Sequence, residues 1–553
     1  MENSGKYKRI LVTSALTYAN GDTHLGHIAG SILPADMYVR YCRLAGYDII
    51  YICGSDEYGT AIEMSAIKEG ISPKEIVDKY HFANKKAYEQ LGMSFDIYSR
   101  TSTETHKKTA QDFFNNLYNK DLLYQKTEKQ LYSEKEKRFL ADRFVIGTCP
   151  VCGFEEARGD ECENCGSALS PLELKNPRST ITGDTPVVKE STHFYFPLSK
   201  FQPKLEEWIN SKKDWKPNVV NYCKGWFKTG LQDRAITRDL DWGVPLPMEG
   251  FDGKVIYVWF EAPMGYISIT KELFAAKGNE DRYKDYWCSN DTKLVHFLGK
   301  DNIIFHAIFF PAMIMAHGDL VLAENVPANE FMNLEGTKQS KSKGHAIYVK
   351  DVVDKYNPDS LRYAIASNMP ENKDTDFYWK DLQAKNNNEL GAILGNFVNR
   401  TFVFAGKYFD GAVPEAGVYA EIDNNIINII KSYTSSIASY YENYKFKDAL
   451  SETMNLVRDA NKYFNDTEPW KVVKEDTARC GTIINVCLQL CNTFAVLFNP
   501  VLPFTSEKLL RMLNMPGENL SWANAEKLLL PSGHKLNTPE ILFRKIEDSE
   551  IEQ

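Results

Sequence analysis

Apolar and polar residues alternate in blocks along the first part of the chain, and these blocks predict an α/β fold. A β-branched run from Lys8 to Leu16 leads into a loop, a helix-compatible stretch follows from about Leu25 to Leu44, and a second apolar run extends from Asp48 to Cys53. Strand, loop, helix and strand in this order favour a parallel βαβ unit.

Similar apolar runs return after residue 250 and predict a second half of the same fold. Lys254–Trp259 and Leu294–Leu298 read as further strands, and an apolar helical stretch from Ile303 to His317 follows the second run. Roughly a hundred residues lie between the two halves, so we expect a nucleotide-binding fold that is split by an insertion.

Long helical periodicity begins at Leu382. Apolar positions such as Leu390, Ile393, Leu394 and Phe397 recur at the spacing of one helical face, and few strand signals interrupt the pattern. We therefore expect an all-α helical bundle of about 160 residues in this part of the chain.

Composition and charge narrow the class of protein. A chain of 553 residues exceeds what one hydrophobic core supports, so we expect about two to four domains. The 65 Lys and Arg against 74 Asp and Glu give a net charge of −9, which restricts any RNA contact to local basic patches. No stretch approaches the ~20 apolar residues that span a bilayer, and the polar start lacks a signal-peptide core. We therefore expect a cytoplasmic protein with no membrane partner.

Paired C-x-x-C elements predict a metal site. Cys149 and Cys152 are followed, after nine residues, by Cys162 and Cys165. Such knuckles let four thiolates face one ion, and four sulfur ligands leave no coordination position open, so we expect one structural Zn²⁺ per chain. Two disulfides are the alternative, which is weak for a cytoplasmic chain.

Two histidines follow the first predicted strand. His24 and His27 stand at the start of the helical stretch, where imidazoles beside helix N-terminal N–H groups can bind phosphate oxygens. Taken alone, an H-x-x-H pair is more often structural, and its context decides the interpretation.

That context is a basic loop, Gly336–Gly344, which follows a predicted strand from Asn329 to Leu334. Three lysines within six residues usually belong to a solvated loop. Lys338 and Lys341, however, stand at i and i+3 and can clamp the polyphosphate of ATP as pyrophosphate leaves. A histidine pair and a lysine loop in one fold together point to phosphoryl chemistry.

These strings resemble a known family. HLGH at 24–27 resembles the HIGH signature of the class I aminoacyl-tRNA synthetases, and KQSKS at 338–342 resembles their KMSKS signature. The longer strings 15–27, 257–266 and 299–306, with the knuckle at 149–165, look like the methionyl branch of that family. Thr17 and Gln339 depart from its common proline and methionine, which puts local loop geometry in doubt and not the reaction.

The resemblance implies a reaction and its participants. ATP would activate L-methionine to methionyl-adenylate with release of pyrophosphate, and methionine would then pass to the 3′-terminal adenosine of tRNA(Met). ATP with Mg²⁺ is implied as a substrate and Zn²⁺ as the structural metal. We expect a monomer as the chain is given, and a dimer if a C-terminal domain is missing from it.

The resemblance also implies residue roles. Asp56 would receive the methionine ammonium, Asp301 the ribose, and the histidines and lysines would stabilise the reacting phosphates. The implied catalytic residues are His24, His27, Lys338 and Lys341, and ATP binding would add Gly299, Asp301, Ser340 and Ser342. The implied methionine-binding residues are Leu16, Tyr18, Asp56, Trp259, Ala262, Pro263, Tyr266, Phe305 and His306. The implied anticodon-binding residues are Asn396, Arg400 and Trp470.

The combined fold prediction is α/β: a split Rossmann-type parallel-sheet catalytic domain with a zinc-knuckle insertion, followed by an all-α helical bundle. The predicted segments are 1–115 and 226–335 for the catalytic halves, 116–225 for the insertion, 336–381 for the KMSKS-like loop and stem-contact region, 382–543 for the anticodon-binding bundle and 544–553 for a charged tail.

Three alternatives remain open at this point. A leucyl, isoleucyl or valyl synthetase would usually carry a much longer inserted editing domain. A nucleotidyltransferase with the same histidine loop is typically short and would not need the bundle. A zinc-ribbon RNA-binding protein would explain the four cysteines but leave both phosphate loops without purpose.

Overall fold

The structure is a computed structural model that describes residues 7–140, 144–159, 162, 164–165, 167, 169–337, 346–515, 517 and 520–551. Its strands are β1 (Arg9–Ser14), β2 (Thr17–Tyr18), β3 (Ile49–Asp56), β4 (Ile97–Arg100), β5 (Tyr124–Ser133), β6 (Arg138–Phe139), β7 (Val145–Thr148), β8 (Ala157–Arg158), β9 (Lys175–Ser179), β10 (Val187–Phe196), β11 (Arg234–Ala235), β12 (Thr237–Arg238), β13 (Val244–Pro245), β14 (Val255–Ile256), β15 (Thr292–Gly299), β16 (Ala328–Asn329), β17 (Met332–Leu334) and β18 (Thr375–Phe377).

Helices outnumber strands in the second half of the chain. The α-helices are α1 (Leu25–His27), α2 (Leu33–Leu44), α3 (Thr60–Glu69), α4 (Pro73–Gln90), α5 (Glu104–Asn119), α6 (Leu198–Ser211), α7 (Pro217–Thr229), α8 (Val258–Glu261), α9 (Gly265–Ala276), α10 (Tyr283–Trp287), α11 (Phe310–His317), α12 (Val349–Val352), α13 (Pro358–Ser367), α14 (Trp379–Ala384), α15 (Asn396–Tyr408), α16 (Glu421–Glu442), α17 (Phe446–Asp466), α18 (Pro469–Val472), α19 (Thr477–Phe498) and α20 (Pro503–Met512). Segments of π-helix cover Ile28–Ile32, Phe305–Phe309 and Lys385–Gly395.

A parallel sheet of strand order β16-β15-β1-β3-β2, with β4 also paired to β3, forms the catalytic domain. The two halves of the chain meet at β1, which pairs with β3 on one side and with β15 on the other, both in parallel. The predicted split parallel-sheet fold is confirmed. Because the strand order reverses at β1, the carboxyl end of that strand opens on the crevice in which such folds bind ligands.

Two predicted strands differ from the structure. The predicted strand Asn329–Leu334 is divided into β16 and β17, which belong to different sheets. The run Lys254–Trp259 forms only the two-residue β14, which pairs antiparallel with β12 and β13 in a separate small sheet. The N–H groups of Phe260 and Glu261 both donate to the carbonyl of Tyr257, which starts a helical turn. A short apolar run does not distinguish a buried strand from a buried helical turn.

The predicted helix from Leu25 to Leu44 is interrupted. Between α1 and α2 the backbone follows a π-helical path over Ile28–Ile32, and the N–H of Leu33 donates to the carbonyl of Ile28. Such π-turns often occur at functional sites. Here the turn directly follows the histidine pair.

The insertion and the bundle complete the molecule. Strands β5, β6, β10 and β11 form one antiparallel sheet, and a smaller sheet of β7, β8 and β9 lies next to the cysteine knuckles in sequence. In the bundle, α19 is the one helix of the described residues that could cross a membrane by length and composition, but its apolar window is entirely buried. It is the central core helix of the bundle.

A buried arginine joins the two regions. The Arg362 guanidinium on α13 donates to Asp36 Oδ2 on α2 at 2.6 Å, to the carbonyl of Leu91 after α4 at 3.1 Å, and to the carbonyl of Val501 beyond α19 at 2.7 Å. Burial would raise the pKa of Asp36, but the guanidinium groups of Arg40 and Arg362 hold it well below its usual range. The helix that follows the histidine pair is thereby tied to the bundle.

Candidate active site, anticodon groove and metal centre

A cavity of about 360 Å³ opens at the carboxyl end of β1. Of the residues implied from the sequence, it is lined by Leu16, Tyr18, His24, His27, Asp56, Trp259, Gly299, Asp301 and Phe305. Its remaining lining, which the sequence did not single out for binding, is Ala15, Thr17, Gly26, Gly30, Ser31, Asn302, Glu330, Phe331 and Met332. The sheet therefore brings most of the implied ATP and methionine residues to one place.

Backbone hydrogen bonds fix the protonation of both histidines. His24 caps α1, and its Nδ1 accepts the N–H of Gly26 at 3.1 Å, while Nδ1 of His27 accepts the N–H of His24 at 3.1 Å. A neutral imidazole that accepts through Nδ1 carries its proton on Nε2. Both rings therefore present an Nε2–H donor, beside a helix N-terminus, which suits phosphate oxygens.

Gly26 is required by the closeness of these rings. A Cβ at this position would lie 2.9 Å from the His24 ring atoms Cε1 and Nδ1. The centroids of the two imidazole rings are 3.8 Å apart, and their planes are tilted by 32°. A side chain at position 26 would push the His24 ring out of its capping position.

Asp56 stands at the end of β3 with an unsatisfied oxygen. The side chain is buried, and within the described part of the chain its Oδ1 has no hydrogen-bond partner. Burial, and then the charge of Glu261, raise the pKa of Asp56 well above its ordinary value. A buried carboxylate oxygen that lacks a donor at a cavity wall is suited to a cationic ligand.

The aromatic side of the cavity is preorganised. Trp259 and Phe305 stack with centroids 4.0 Å apart and planes 8° from parallel. Behind them the Tyr266 hydroxyl lies 2.7 Å from His306 Nε2, and His306 Nδ1 lies 3.0 Å from the carbonyl of Asn302.

The direction of the hydrogen bond between Tyr266 and His306 follows from the other hydrogen bond of His306. Burial lowers the pKa of His306 to about 4, so the ring is neutral, and its single proton is donated by Nδ1 to the Asn302 carbonyl. Tyr266 therefore donates its O–H to His306. Ala262 and Pro263 are buried in the short helical turn Ala262–Met264, which precedes Tyr266 in the chain.

A second, mostly apolar cavity of about 450 Å³ lies behind the stacked rings. It shares Trp259 and Phe305 with the first cavity and is otherwise lined by residues such as Tyr195, Trp226 and Arg238. It is larger, but the histidine pair, Asp56 and Asp301 all line the first cavity.

The implied lysine-loop residues Lys338, Ser340, Lys341 and Ser342 lie outside the described residues. The described flanks of that loop both adjoin the histidine pair: Met332 lines the cavity before it, and after it the Leu25 N–H donates to the Ile347 carbonyl and the Val349 N–H to the Thr23 carbonyl. The chain thus enters and leaves the loop at the mouth of the cavity.

A groove of about 490 Å³ on the bundle is lined by two of the three implied anticodon residues, and the third, Trp470, lies next to one of them, Arg400. Asn396 and Arg400 of α15 line it together with Asn465 of α17. The Arg400 guanidinium donates to Asn465 Oδ1 at 3.2 Å and lies 4.1 Å from the Phe464 ring centroid and 5.5 Å from that of Trp470. Trp470 is 37% exposed, so an aromatic platform and a guanidinium lie side by side at the surface.

The four clustered cysteines come together. All their Sγ atoms lie within 4.8 Å of one another, with 3.9 Å between Cys149 and Cys165 and 3.6 Å between Cys152 and Cys162. Four sulfurs bound tetrahedrally to zinc at ~2.3 Å would be roughly 3.8 Å apart. The cluster could hold a metal ion, and its dimensions fit a closed tetrahedral site.

Comparison with family models shows which protein family this chain belongs to. The family model described as "tRNA synthetases class I (M)" matches residues 10–402. The chain belongs to the methionyl-tRNA synthetase family. A second model, described as "Anticodon binding domain of methionyl tRNA ligase", matches residues 413–553. As a family member the chain is a methionine–tRNA ligase and a class I aminoacyl-tRNA synthetase.

Relatives named as methionyl-tRNA synthetases match nearly the whole chain. The methionine–tRNA ligase of Bacteroides fragilis (strain YCH46) is 51% identical over 550 residues, and that of Christiangramia forsetii is 50% identical over 556 residues. Each alignment covers 99% of this chain and 80% of the relative. Mycobacterium tuberculosis methionyl-tRNA synthetase in complex with methionyl-adenylate has a TM-score of 0.80 at 25% identity, over 97% of this chain and 99% of that one.

Proposed function

We propose that the cavity at the end of β1 is where this methionyl-tRNA synthetase family member forms methionyl-adenylate. The observation that carries the proposal is the meeting, in one cavity, of two Nε2–H donors from His24 and His27 with the unsatisfied carboxylate of Asp56. Donors suit the phosphates of ATP, and the carboxylate suits the ammonium of an amino acid.

In the proposed first step a carboxylate oxygen of methionine attacks the α-phosphorus of ATP. The bond from that phosphorus to the bridging oxygen breaks, and pyrophosphate leaves with the electron pair. His24 and His27 stabilise the charge on the α-phosphate, Asp56 holds the ammonium and Asp301, beside Gly299, accepts from the ribose hydroxyls. Lys338 and Lys341, with Ser340 and Ser342, stabilise the departing pyrophosphate, and Mg²⁺ accompanies ATP.

The proposed methionine pocket is the wall of Leu16, Tyr18 and Trp259 with the Tyr266–His306 pair behind it. Aromatic surfaces suit a polarizable thioether. Because the Tyr266 proton is donated to His306, a sulfur atom that accepts from Tyr266 would have to compete with that hydrogen bond. The pocket therefore recognises the thioether mainly by shape and dispersion.

In the proposed second step the 2′-hydroxyl of the terminal adenosine attacks the carbonyl carbon of the adenylate, and AMP leaves.

ATP–pyrophosphate exchange with each of the twenty amino acids in turn tests substrate choice. Exchange with methionine alone is expected, and exchange with leucine, isoleucine or valine in its place would overturn the proposal. The predicted cytoplasmic location and monomeric state stay predictions.

We further propose that the anticodon of tRNA(Met) binds the groove of Asn396 and Arg400 together with the neighbouring Trp470 ring. Trp470→Ala should reduce tRNA charging by roughly 10- to 100-fold, because stacking of one base on an aromatic side chain is worth ~1–3 kcal/mol. Adenylate formation should barely change. Aminoacylation and ATP–pyrophosphate exchange, measured on the same preparation, check both statements.

Tyr408→Ala is the matched control for this variant. Tyr408 is 38% exposed and stands at the far end of α15, away from the groove residues. Charging by the Tyr408 variant should stay close to that of the parent chain. Equal losses in both half-reactions for Trp470→Ala would mean that Trp470 supports the fold and does not bind RNA.

We propose that the metal at the cysteine cluster is one structural Zn²⁺ per chain. Cys152→Ser should lower the zinc content towards zero and expose the insertion to proteolysis, while ATP–pyrophosphate exchange changes less, because a closed site of four thiolates contributes folding energy and no open coordination position. Cys288→Ser, at an exposed cysteine outside the cluster, is the control. Metal analysis that finds no zinc in the reduced parent chain would contradict the assignment.

A further inference from the structure

Glu261 is a buried carboxyl group that no cation among the described residues neutralises. Its side chain is fully buried on α8, in the turn between Trp259 and Ala262. Within the described residues its one hydrogen-bond partner is His106 Nε2, at 2.6 Å from Oε2, and Oε1 has none. An isolated buried carboxylate is costly, and such a group normally takes up a proton instead.

The other acidic groups around this pair are differently placed. Glu57 accepts from the Arg100 guanidinium at 2.7 Å and from the hydroxyls of Ser55 and Ser102. Glu272 accepts from the hydroxyls of Ser99 and Thr103. Glu57 has a counter-charge and Glu272 has two donors. The hydrogen-bond partner of Glu261 is only the neutral imidazole of His106.

The direction of the hydrogen bonds can be followed from Ser268. Its hydroxyl lies 3.1 Å from the Gly265 carbonyl, which can only accept, and 3.0 Å from His106 Nδ1. Because the single hydroxyl proton is donated to Gly265, His106 donates through Nδ1 to the serine oxygen. A neutral His106 then has no proton on Nε2, so the 2.6 Å contact needs a proton on Glu261.

Electrostatics agree with this direction. Burial lowers the pKa of His106 to about 3, and burial raises the pKa of Glu261 well above its ordinary value. Both shifts favour the uncharged members of the pair.

We infer that Glu261 is held as an uncharged carboxylic acid that donates a hydrogen bond to His106, and that this pair positions the wall of the amino-acid pocket. The inference rests on the proposed function for what the pocket binds. Neither residue is proposed to touch a substrate, so both are positioning residues.

The pair ties the pocket turn to α5. His106 stands on α5, whereas Glu261 begins the segment that continues through Pro263 into α9. A Cβ on Gly265 would lie 2.8 Å from Leu16 Cδ1, so no side chain fits between this segment and Leu16. The contact of His106 Nδ1 with the Ser268 hydroxyl also joins α5 to α9. Loss of the hydrogen bond would free this turn and leave a buried nitrogen unsatisfied.

An uncharged Glu261 also has an electrostatic effect. The charge of an ionised Glu261 would raise the pKa of Asp56 and oppose its ionisation. With Glu261 protonated, its charge no longer raises the pKa of Asp56, and burial, the larger cause of that shift, is offset when a cationic group binds beside the carboxyl group. Asp56 can thus accept from an ammonium group, while Glu261 donates to His106.

Comparison of Glu261→Gln with Glu261→Leu tests the donor role. The glutamine amide can donate to His106 Nε2, and leucine of similar size cannot. The KM for methionine in ATP–pyrophosphate exchange should be about 10-fold or more higher for the leucine variant than for the glutamine variant, with a smaller difference in kcat. Equal KM values for the two variants would overturn the positioning role.

Infrared difference spectroscopy tests the protonation independently of activity. The parent chain minus Glu261→Gln, at neutral pH, should show the carbonyl band of a protonated carboxyl group, and a carboxylate band there would overturn the assignment. Asp56→Asn separates this inference from the proposed function. If Asp56→Asn leaves the KM for methionine unchanged, the ammonium site fails, while the infrared band still decides the state of Glu261.

Discussion

Replacement of His24 by asparagine is expected to slow adenylate formation by about 10²–10³-fold, the loss typical of one donor that stabilises developing charge. The asparagine oxygen can still accept the Gly26 N–H and cap α1, but the distal Nε2–H is lost. Methionine affinity should change little. Single-turnover adenylate formation and methionine binding, measured on the same variant, check the two statements.

His24→Gln is the matched counterpart. Its amide nitrogen reaches approximately to the position of Nε2 and keeps a distal donor, while the cap to Gly26 is lost. This variant should unfold at a lower temperature than His24→Asn and yet form adenylate faster. The opposite order in the two measurements would mean that His24 acts on the fold and not on phosphate.

Lys341→Ala is expected to slow adenylate formation by about 10²–10³-fold with little effect on methionine affinity. The proposed contact is made mainly as charge develops on pyrophosphate, so it stabilises the transition state more than the ground state. Lys341 lies outside the described residues, and the expectation rests on its i, i+3 spacing from Lys338 and on the flanks of the loop, which adjoin the histidine pair.

Lys343→Ala serves as the control for that variant, because it removes the same charge from the same loop but lies outside the i, i+3 pair. Rapid-quench measurement of adenylate formation on both variants separates a specific clamp from a general loss of positive charge. A fall in methionine affinity as large as the fall in rate would contradict the role given to Lys341.

Periodicity predicted the parts of the fold that depend on long, uniform elements. The βαβ start and the helical bundle have such patterns, and the structure confirms both. The run Lys254–Trp259 was too short for its apolar character to separate strand from helix. The π-turn at Ile28–Ile32 leaves no mark in the spacing of apolar residues.

Site residues could be predicted from the sequence where the interacting residues belong to one short string. They could not be predicted where only the fold brings distant residues together. His24 and His27 stand three residues apart, so their resemblance to a signature could be read directly. Glu261 lies within the string 257–266, but His106 is 155 residues away from it and belongs to no recognisable string, so the pair could not be read from the sequence. The tautomers of the histidines depend on the hydrogen bonds of the folded chain and could not be predicted at all.

Arg362 has a mechanical consequence for the whole molecule. One guanidinium binds α2, the end of α4 and the segment after α19, so a hinge at this place would have to break several buried hydrogen bonds together. We therefore expect α2, α4 and the segment after α19 to keep their relative positions when the proposed RNA partner binds. An RNA that binds this protein would then have to reach both the cavity at β1 and the groove on the bundle at a fixed separation.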